Sequence, residues 1–510
     1  MAARDQCHEA RKLVYASMLV YVIVLSAYTL MKHACFKTYA WDLGIYGQAF
    51  WNTVNVGGVF TYNCERHLVE SGSFFGVHFS PALFLLLPLY TLRQDVTTLL
   101  VAQTLALGLS AYPVYLLGRE CLGDRLGATL AAAYLLSPAL HGVNCYDFHV
   151  QALLPLPLNY LMLYTRRGQW VRAAASAILS LSVMEQASYI VLAFTLGVLM
   201  SGLVGGALTG GKVRPRTLAA FTLSLIVITL LWRHGAYQVI HHYNPSVSPY
   251  LKAGRHFTVL GAQEPSAIPG QALTHPRRAV EALLYDMDEK AAYLASTLLP
   301  HLFLPLTQPL LLVSAAPWVA VALLSNYPPY YTPGFQYACY LIPFTQAAAT
   351  LALSKVNPRA RRQLAAATLA VAALSAFTLS PLSPATDGLD LSPAYRKPWG
   401  TPEVQALRDA LKLVPPGASI LTQDDVFPHV CGRRDAYVIP PDTRPDNQTW
   451  AKAWGQIANL RAEYVLVNLA TDPLGTAEET VRLLEQTGLY EVAITQGGVR
   501  LYRLQATLAP

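Results

Sequence analysis

The chain has 510 residues, of which 53% are hydrophobic and 13% charged, with a formal net charge of +7. Ordinary globular domains carry about 25% charged residues, so this composition argues against a wholly soluble protein, and it excludes a disordered chain, a coiled coil and a collagen-like fibre. So much apolar side chain per charge is the mark of a polytopic membrane protein, because only lipid tolerates it. Lys and Arg gather in short loops between apolar runs, which reads as membrane orientation, and no nucleic-acid motif accompanies them. The seven Cys show no CxxC or CxxH spacing, so neither a zinc nor a haem motif is present.

In chain order, Arg4, Arg11 and Lys12 precede an apolar run from Leu13 to Met31, about enough to cross the roughly 30 Å hydrocarbon core. It reads as a retained first span with the N-terminus in the cytoplasm. Residues 32–79 then form a long first outer loop rich in aromatics, Gly, Asn and His. The run Pro81–Leu92 is too short to cross and reads as interfacial or re-entrant. Further spans are expected at 96–118, 126–141, 150–165, 171–184, 187–204, 217–234, 291–306, 308–325, 336–354 and 363–380, roughly eleven in all. This count puts the basic clusters Arg119–Arg125, Arg166–Arg172, Lys212–Arg216 and Lys355–Arg362 inside. Residues 235–289 become a second long outer loop.

From about Ser392 the composition changes. Helical patterns at Glu403–Leu413, 451–461 and 476–487 alternate with strand-like runs at Ala418–Leu421, Ala436–Ile439, Tyr464–Leu469, Leu489–Ile494 and Val499–Arg503. Residues 1–391 therefore read as the transmembrane domain and 392–510 as an extracytoplasmic α/β domain. No Gly-rich phosphate loop opens its helices. Cys35 and Cys64 share the first loop and are either bridged or free thiols. Asn447-Gln448-Thr449 is a glycosylation triplet in the outer domain.

Chemistry-bearing residues cluster on the outer side. Asp42 is the one Asp of the first loop, beside Trp41 and Tyr46; it is a candidate base, against the simpler role of a helix cap. His78, just before the short apolar run, is a phosphate or metal candidate, or a structural histidine. Asp147 and His149 stand two apart between the third and fourth spans. With Asp42 they are candidate ligands for a divalent metal ion. Glu185 lies between two apolar runs, where a carboxylate is costly unless it faces a cavity or water. Arg233 ends a span on the outer side and could hold an anionic headgroup or anchor the span. Gln336 and Tyr337 sit in an aromatic outer rim.

Four segments carry a resemblance: Asp42-Leu43-Gly44-Ile45-Tyr46-x-Gln48-Ala49-Phe50-Trp51-Asn52, Phe74-Phe75-Gly76-Val77-His78-Phe79-Ser80-Pro81, Tyr146-Asp147-Phe148-His149 and Gln336-Tyr337…Pro343. Together they resemble a prokaryotic family of multi-spanning membrane proteins with a domain of unknown function, grouped with the GT-C glycosyltransferase superfamily. The resemblance implies a GT-C-like, mainly α architecture. It also implies an inverting transfer of sugar from a polyprenyl-phosphate donor to an acceptor hydroxyl at the outer face, with Asp42 as base. His78, Asp147, His149, Glu185, Arg233, Gln336 and Tyr337 would bind substrate. Glu185 looks like the Glu of a Lys-Glu pair common in such proteins, with Met184 in place of the Lys. The second acid of a first-loop Asp-Glu is missing, since Leu43 follows Asp42, and Asp147-x-His149 stands where an Asp-x-Asp metal motif would. Two other classes stay open: a carrier or flippase for a lipid-linked solute, suggested by Glu185 and Pro-interrupted spans, and a non-catalytic membrane assembly protein.

Overall fold

The computed structural model describes residues 2–203, 207–209, 213–246, 253–263, 265–441, 453–455, 459–472 and 474–505. Lys212, the Asn447 glycosylation triplet and part of the expected 451–461 helix lie outside the described residues. The chain starts with the 33-residue helix α1 (Ala2–Ala34). A five-residue π-turn, Ala40–Gly44, leads directly into α2 (Ile45–Asn55). Then follow α3 (Leu83–Leu92), α4 (Thr97–Leu109), α5 (Ala111–Leu122), α6 (Asp124–Leu135) and α7 (Pro138–Cys145). Next come α8 (Pro155–Arg166), α9 (Trp170–Val183), α10 (Ala187–Leu203) and α11 (Pro215–Tyr243). The short α12 (Ile268–Thr274) and α13 (Pro276–Leu284) precede α14 (Met287–Leu298), α15 (Pro309–Leu312), α16 (Ala316–Leu324), α17 (Ile342–Ser354) and α18 (Pro358–Leu379).

The expected spans fall where helices lie, but many are shorter than a full crossing. Among the described residues, four helical stretches are long and apolar enough to cross a membrane: Cys7–Ala34, Thr97–Leu122, Pro215–Tyr243 and Pro358–Leu379. The bent pair α6–α7 makes a fifth if counted as one. That pair corrects the straight span expected at 126–141. Pro138 has no N–H to donate and its ring crowds the preceding turn, so the helix breaks and bends by 46°. The 150–165 span is instead the 12-residue α8, opened by Pro155. It is about 18 Å long at 1.5 Å per residue. The α9 helix stops at Val183 because Met184 is fully extended. As expected, α3 is too short to cross; it keeps Phe84, Leu85, Leu89 and Leu92 exposed.

The C-terminal segment forms α19 (Pro402–Lys412), β1 (Ile420–Thr422), β2 (Ala436–Val438), β3 (Tyr464–Asn468), α20 (Thr476–Thr487), β4 (Tyr490–Gln496) and β5 (Val499–Leu504). All five expected strands are present, in the order β2-β1-β3-β5-β4. The first three are parallel, and β5 pairs antiparallel with both β3 and β4. This unit shares a core with the helices: Ile420, Phe427, Leu466 and Leu501 belong to the same buried cluster as Leu43, Phe50 and Leu140.

The glycines of the first-loop motif explain that docking. A Cβ on Gly44 would lie 2.5 Å from the Phe427 ring, and one on Gly47 would lie 2.4 Å from Val96 and 2.5 Å from the Cys431 sulfur. Only glycine lets the 427–431 loop come so close. Beside them, the fully buried Gln48 amide faces the carbonyls of Arg433, Arg434 and Ala436, while its oxygen accepts from Asn63 N–H at 2.8 Å. Cys35 and Cys64 are both free thiols, so the bridge left open by the sequence does not form. Cys64 is instead buried, and Cys35 donates to the Pro398 carbonyl.

Candidate active site

The π-turn aims Asp42. Its Gly44 N–H bonds to the Tyr39 carbonyl five residues back, at 3.1 Å, which widens the turn by one residue before α2 begins. Asp42 keeps 21% of its side chain exposed. Its Oδ2 accepts from the Tyr146 hydroxyl at 2.8 Å, and its Oδ1 meets His149 Nε2 at 2.5 Å. Tyr146 stacks on the His149 ring at 4.5 Å.

Several buried groups hold the 144–149 loop against Asp42. Gln103 of α4 accepts from His149 N–H at 2.8 Å and donates toward the Asn144 and Asp147 carbonyls. Lys32, at the end of α1, donates to the Cys145 carbonyl at 2.6 Å and the Pro393 carbonyl at 2.7 Å. It thereby satisfies a carbonyl left over at the C-terminus of α7.

The protonation state follows from the partners. His149 Nδ1 faces the Asp147 backbone carbonyl at 3.1 Å, which can only accept, so Nδ1 carries a hydrogen. Nε2 and Asp42 then have one proton between them. Burial alone would lower the His149 value, but the Asp42 carboxylate outweighs it and the imidazole is raised above 6.5. That proton is shared across the 2.5 Å contact. Asp147 lies behind it, pushed up to about 7 by burial, with Lys32 pulling the other way.

A second pair lies nearby. His78 Nδ1 meets Glu185 Oε1 at 2.8 Å, and Glu185 Oε2 accepts from Phe79 N–H at 3.0 Å. Burial lowers the His78 value, but Glu185 more than reverses it, so His78 is raised. His78 stays one-third exposed and Glu185 only 7%. Tyr46 of α2 stands close enough to feel both Asp42 and Glu185; with burial they push its hydroxyl well up. Beside Phe79 an apolar cleft of about 530 Å³ is lined by Phe75, Phe79, Phe84, Val239 and Tyr243. Arg233 pairs with neither carboxylate in the structure: it lies over the Tyr189 and Tyr237 rings at 4.3 and 4.9 Å and 3.5 Å from the Ser188 hydroxyl. Tyr337 stacks on Trp318 at 4.9 Å, and Gln336 is buried with its side-chain oxygen unpartnered.

The metal expectation is not met by the donor set. Among the described residues no three His, Cys, Asp or Glu gather to hold an ion. Asp42 and His149 are bonded to each other, and Asp147 turns away to accept from Tyr39 N–H at 2.6 Å. No step is therefore routed through a metal. Sequence reasoning missed Tyr146, Lys32 and Gln103. The signals for two of them are visible in hindsight: Lys32 is a lone cation ending the first apolar run, and Gln103 a lone amide inside the apolar run of α4.

Residues 32–501 match the model of a family described as predicted membrane proteins, DUF2079. No curated protein matches the chain. Among solved structures it is similar to the Archaeoglobus fulgidus oligosaccharyltransferase in the apo form, with 13% identity over 97% of this chain and 75% of that one and a TM-score of 0.41. It is also similar to the same enzyme in complex with Zn and sulfate, with 13% identity over 96% of this chain and 74% of that one and a TM-score of 0.43. An overlap of this size says nothing about the chemistry of this chain, which has to come from its own residues.

Proposed function

The chain belongs to the DUF2079 family of predicted membrane proteins, and we propose that it is a membrane glycosyltransferase. It transfers a sugar from a polyprenyl-phosphate donor to an acceptor hydroxyl, with inversion, and Asp42 is the base. The observation that carries this reading is a partly exposed carboxylate held by Tyr146 and His149, with a second histidine–carboxylate pair, His78 and Glu185, nearby.

The acceptor oxygen attacks the anomeric carbon as the bond from that carbon to the phosphate oxygen breaks. The hydroxyl proton passes to Asp42. Protonating Asp42 leaves the His149 imidazolium without its counter-charge, just as the leaving phosphate gains negative charge. His149, His78 and Arg233 then offset that charge. The cleft beside Phe79 suits an isoprenoid chain, since its lining is mostly apolar, with Gln238 and His242 the polar side chains in it. Asp147 and Glu185 act by holding the neighbouring groups, and Gln336 and Tyr337 border the acceptor side. In this reading the N-terminus is cytoplasmic, and the first loop, residues 235–289 and residues 392–510 lie outside, as the basic inner loops require. The shorter apolar helices pack with the four or five long spans in one membrane bundle.

The test is purified protein reconstituted in vesicles with a panel of polyprenyl-phosphate sugars and membrane-extracted acceptors. Transfer with inverted anomeric configuration is the expected result. Counterflow of a labelled lipid-linked sugar without any transfer would replace this reading with a carrier.

A further inference from the structure

Two successive backbone N–H groups, those of Tyr39 and Ala40, open the turn that carries Asp42. They belong to a helix start, where donors have no partner within the helix. Each ends on a carboxylate from a distant part of the chain. Tyr39 N–H donates to Asp147 Oδ2 at 2.6 Å. Ala40 N–H donates to Asp424 Oδ1 at 2.7 Å and to the Asp424 carbonyl at 2.9 Å.

Asp424 follows β1 by two residues, so the sheet sets its place: β1 is held on both sides, by β2 and β3. The same loop brings Phe427 onto Gly44 and Cys431 onto Gly47. Tyr39 is gripped again through its hydroxyl, which accepts from Arg396 at 2.6 Å. The turn is thus fixed from the 144–149 loop on one side and from the C-terminal unit on the other.

We infer that Asp147 and Asp424 are positioning residues that clamp the Asp42 turn, and that the C-terminal unit completes the site through Asp424. The consequence for sugar transfer rests on the function proposed above; the effect on the Asp42–His149 pair does not. The clamp needs an acceptor oxygen more than a charge. Burial pushes Asp424 up to about 8 and Asp147 up to about 7, and a neutral acid still offers its carbonyl oxygen to an N–H.

The test reads His149 directly, in the full-length protein in lipid nanodiscs with labelled histidine. The imidazole signal is assigned by its loss in His149→Gln and followed against pH by NMR. Asp424 does not touch His149, so a change there reports the position of Asp42. In Asp424→Ala the His149 value is expected to fall by about one unit as Asp42 drifts from it. In Asp424→Asn it is expected to stay, because the amide oxygen keeps the Ala40 bond. Ala40→Pro removes the donor itself at a first-turn position that accepts proline, and with it the bond to the Asp424 carbonyl that Asp424→Ala keeps, so its fall is expected to be at least as large as in the Ala variant. No fall in either Asp424→Ala or Ala40→Pro overturns the clamp, and so does an equal fall in Asp424→Asn. If His149 moves as expected while no variant or parent ever transfers sugar, the clamp stands and the glycosyltransferase reading alone is lost.

Discussion

Gln48→Leu keeps the shape of a fully buried side chain and removes its hydrogen bonds. Gln48 joins α2 to the C-terminal sheet: its amide faces three carbonyls at 3.1–3.3 Å, and its oxygen is the acceptor for Asn63 N–H. The leucine leaves the Asn63 donor unmet and drops one or two bonds across the junction. Together these changes cost about 2–4 kcal/mol. At about 1.4 kcal/mol per tenfold, local opening of the junction rises roughly 30- to 700-fold. Hydrogen–deuterium exchange on the full chain in nanodiscs reads this directly. Amides of β1 and β2 are expected to lose protection by that factor, while those of α4 and α5 keep theirs. A change below about threefold in β2 would refute the claim that this residue ties the C-terminal unit to the site.

Three other outcomes follow from the same geometry. The native values of Asp424, Asp147 and His149 are all raised, so the folded protein holds more protons than the unfolded one from about pH 4 to pH 8. Their contribution is fullest at the low end and is lost as pH rises through the folded values. Between about pH 5 and pH 8.5 the unfolding temperature of Asp424→Asn in detergent is expected to gain on that of the parent, because the variant lacks one group whose contribution is lost over that interval; a parent-to-variant difference that does not change with pH contradicts the assignment. Gly44→Ala drives a methyl group into the buried Phe427 ring and is expected to cost about 1–3 kcal/mol, against less than about 0.5 kcal/mol for Gly400→Ala, which meets nothing. Chemical denaturation of the two variants compares them. Glu185→Gln keeps an acceptor for Phe79 N–H but strips His78 of its counter-charge, so fewer His78 rings are cationic. KM for the polyprenyl-phosphate donor is expected to rise on the order of tenfold with kcat changed less, and an unchanged KM would take His78 out of phosphate binding.

Much of this organisation was legible in the residues. The five strands follow their apolar runs, and α3 is too short to cross because the apolar run Leu83–Leu92 is. Asp42 and His149 both stood out as polar residues in aromatic outer loops, and the fold brings them together. The breaks within the spans were harder to read, because Pro138 and Pro155 sit inside runs whose mean apolarity hides them. The metal trio failed for a local reason: Asp147 points to the Tyr39 backbone, and side-chain direction on a loop does not follow from a spacing of two. The roles of Gly44, Gly47 and Gln48 were invisible for a different reason. Their C-terminal partners are nearly 400 residues away, and nothing local says that this part of the chain must receive a C-terminal loop.

The central claim is that the Asp42 carboxylate takes the acceptor proton. Single-turnover transfer from a polyprenyl-phosphate sugar, in vesicles holding either the parent or Asp42→Asn, tests it most directly. The amide keeps the size of the side chain and cannot accept that proton, so the rate is expected to drop by about 10²- to 10⁴-fold while donor binding persists. Transfer at the parental rate by a folded Asp42→Asn protein would contradict it.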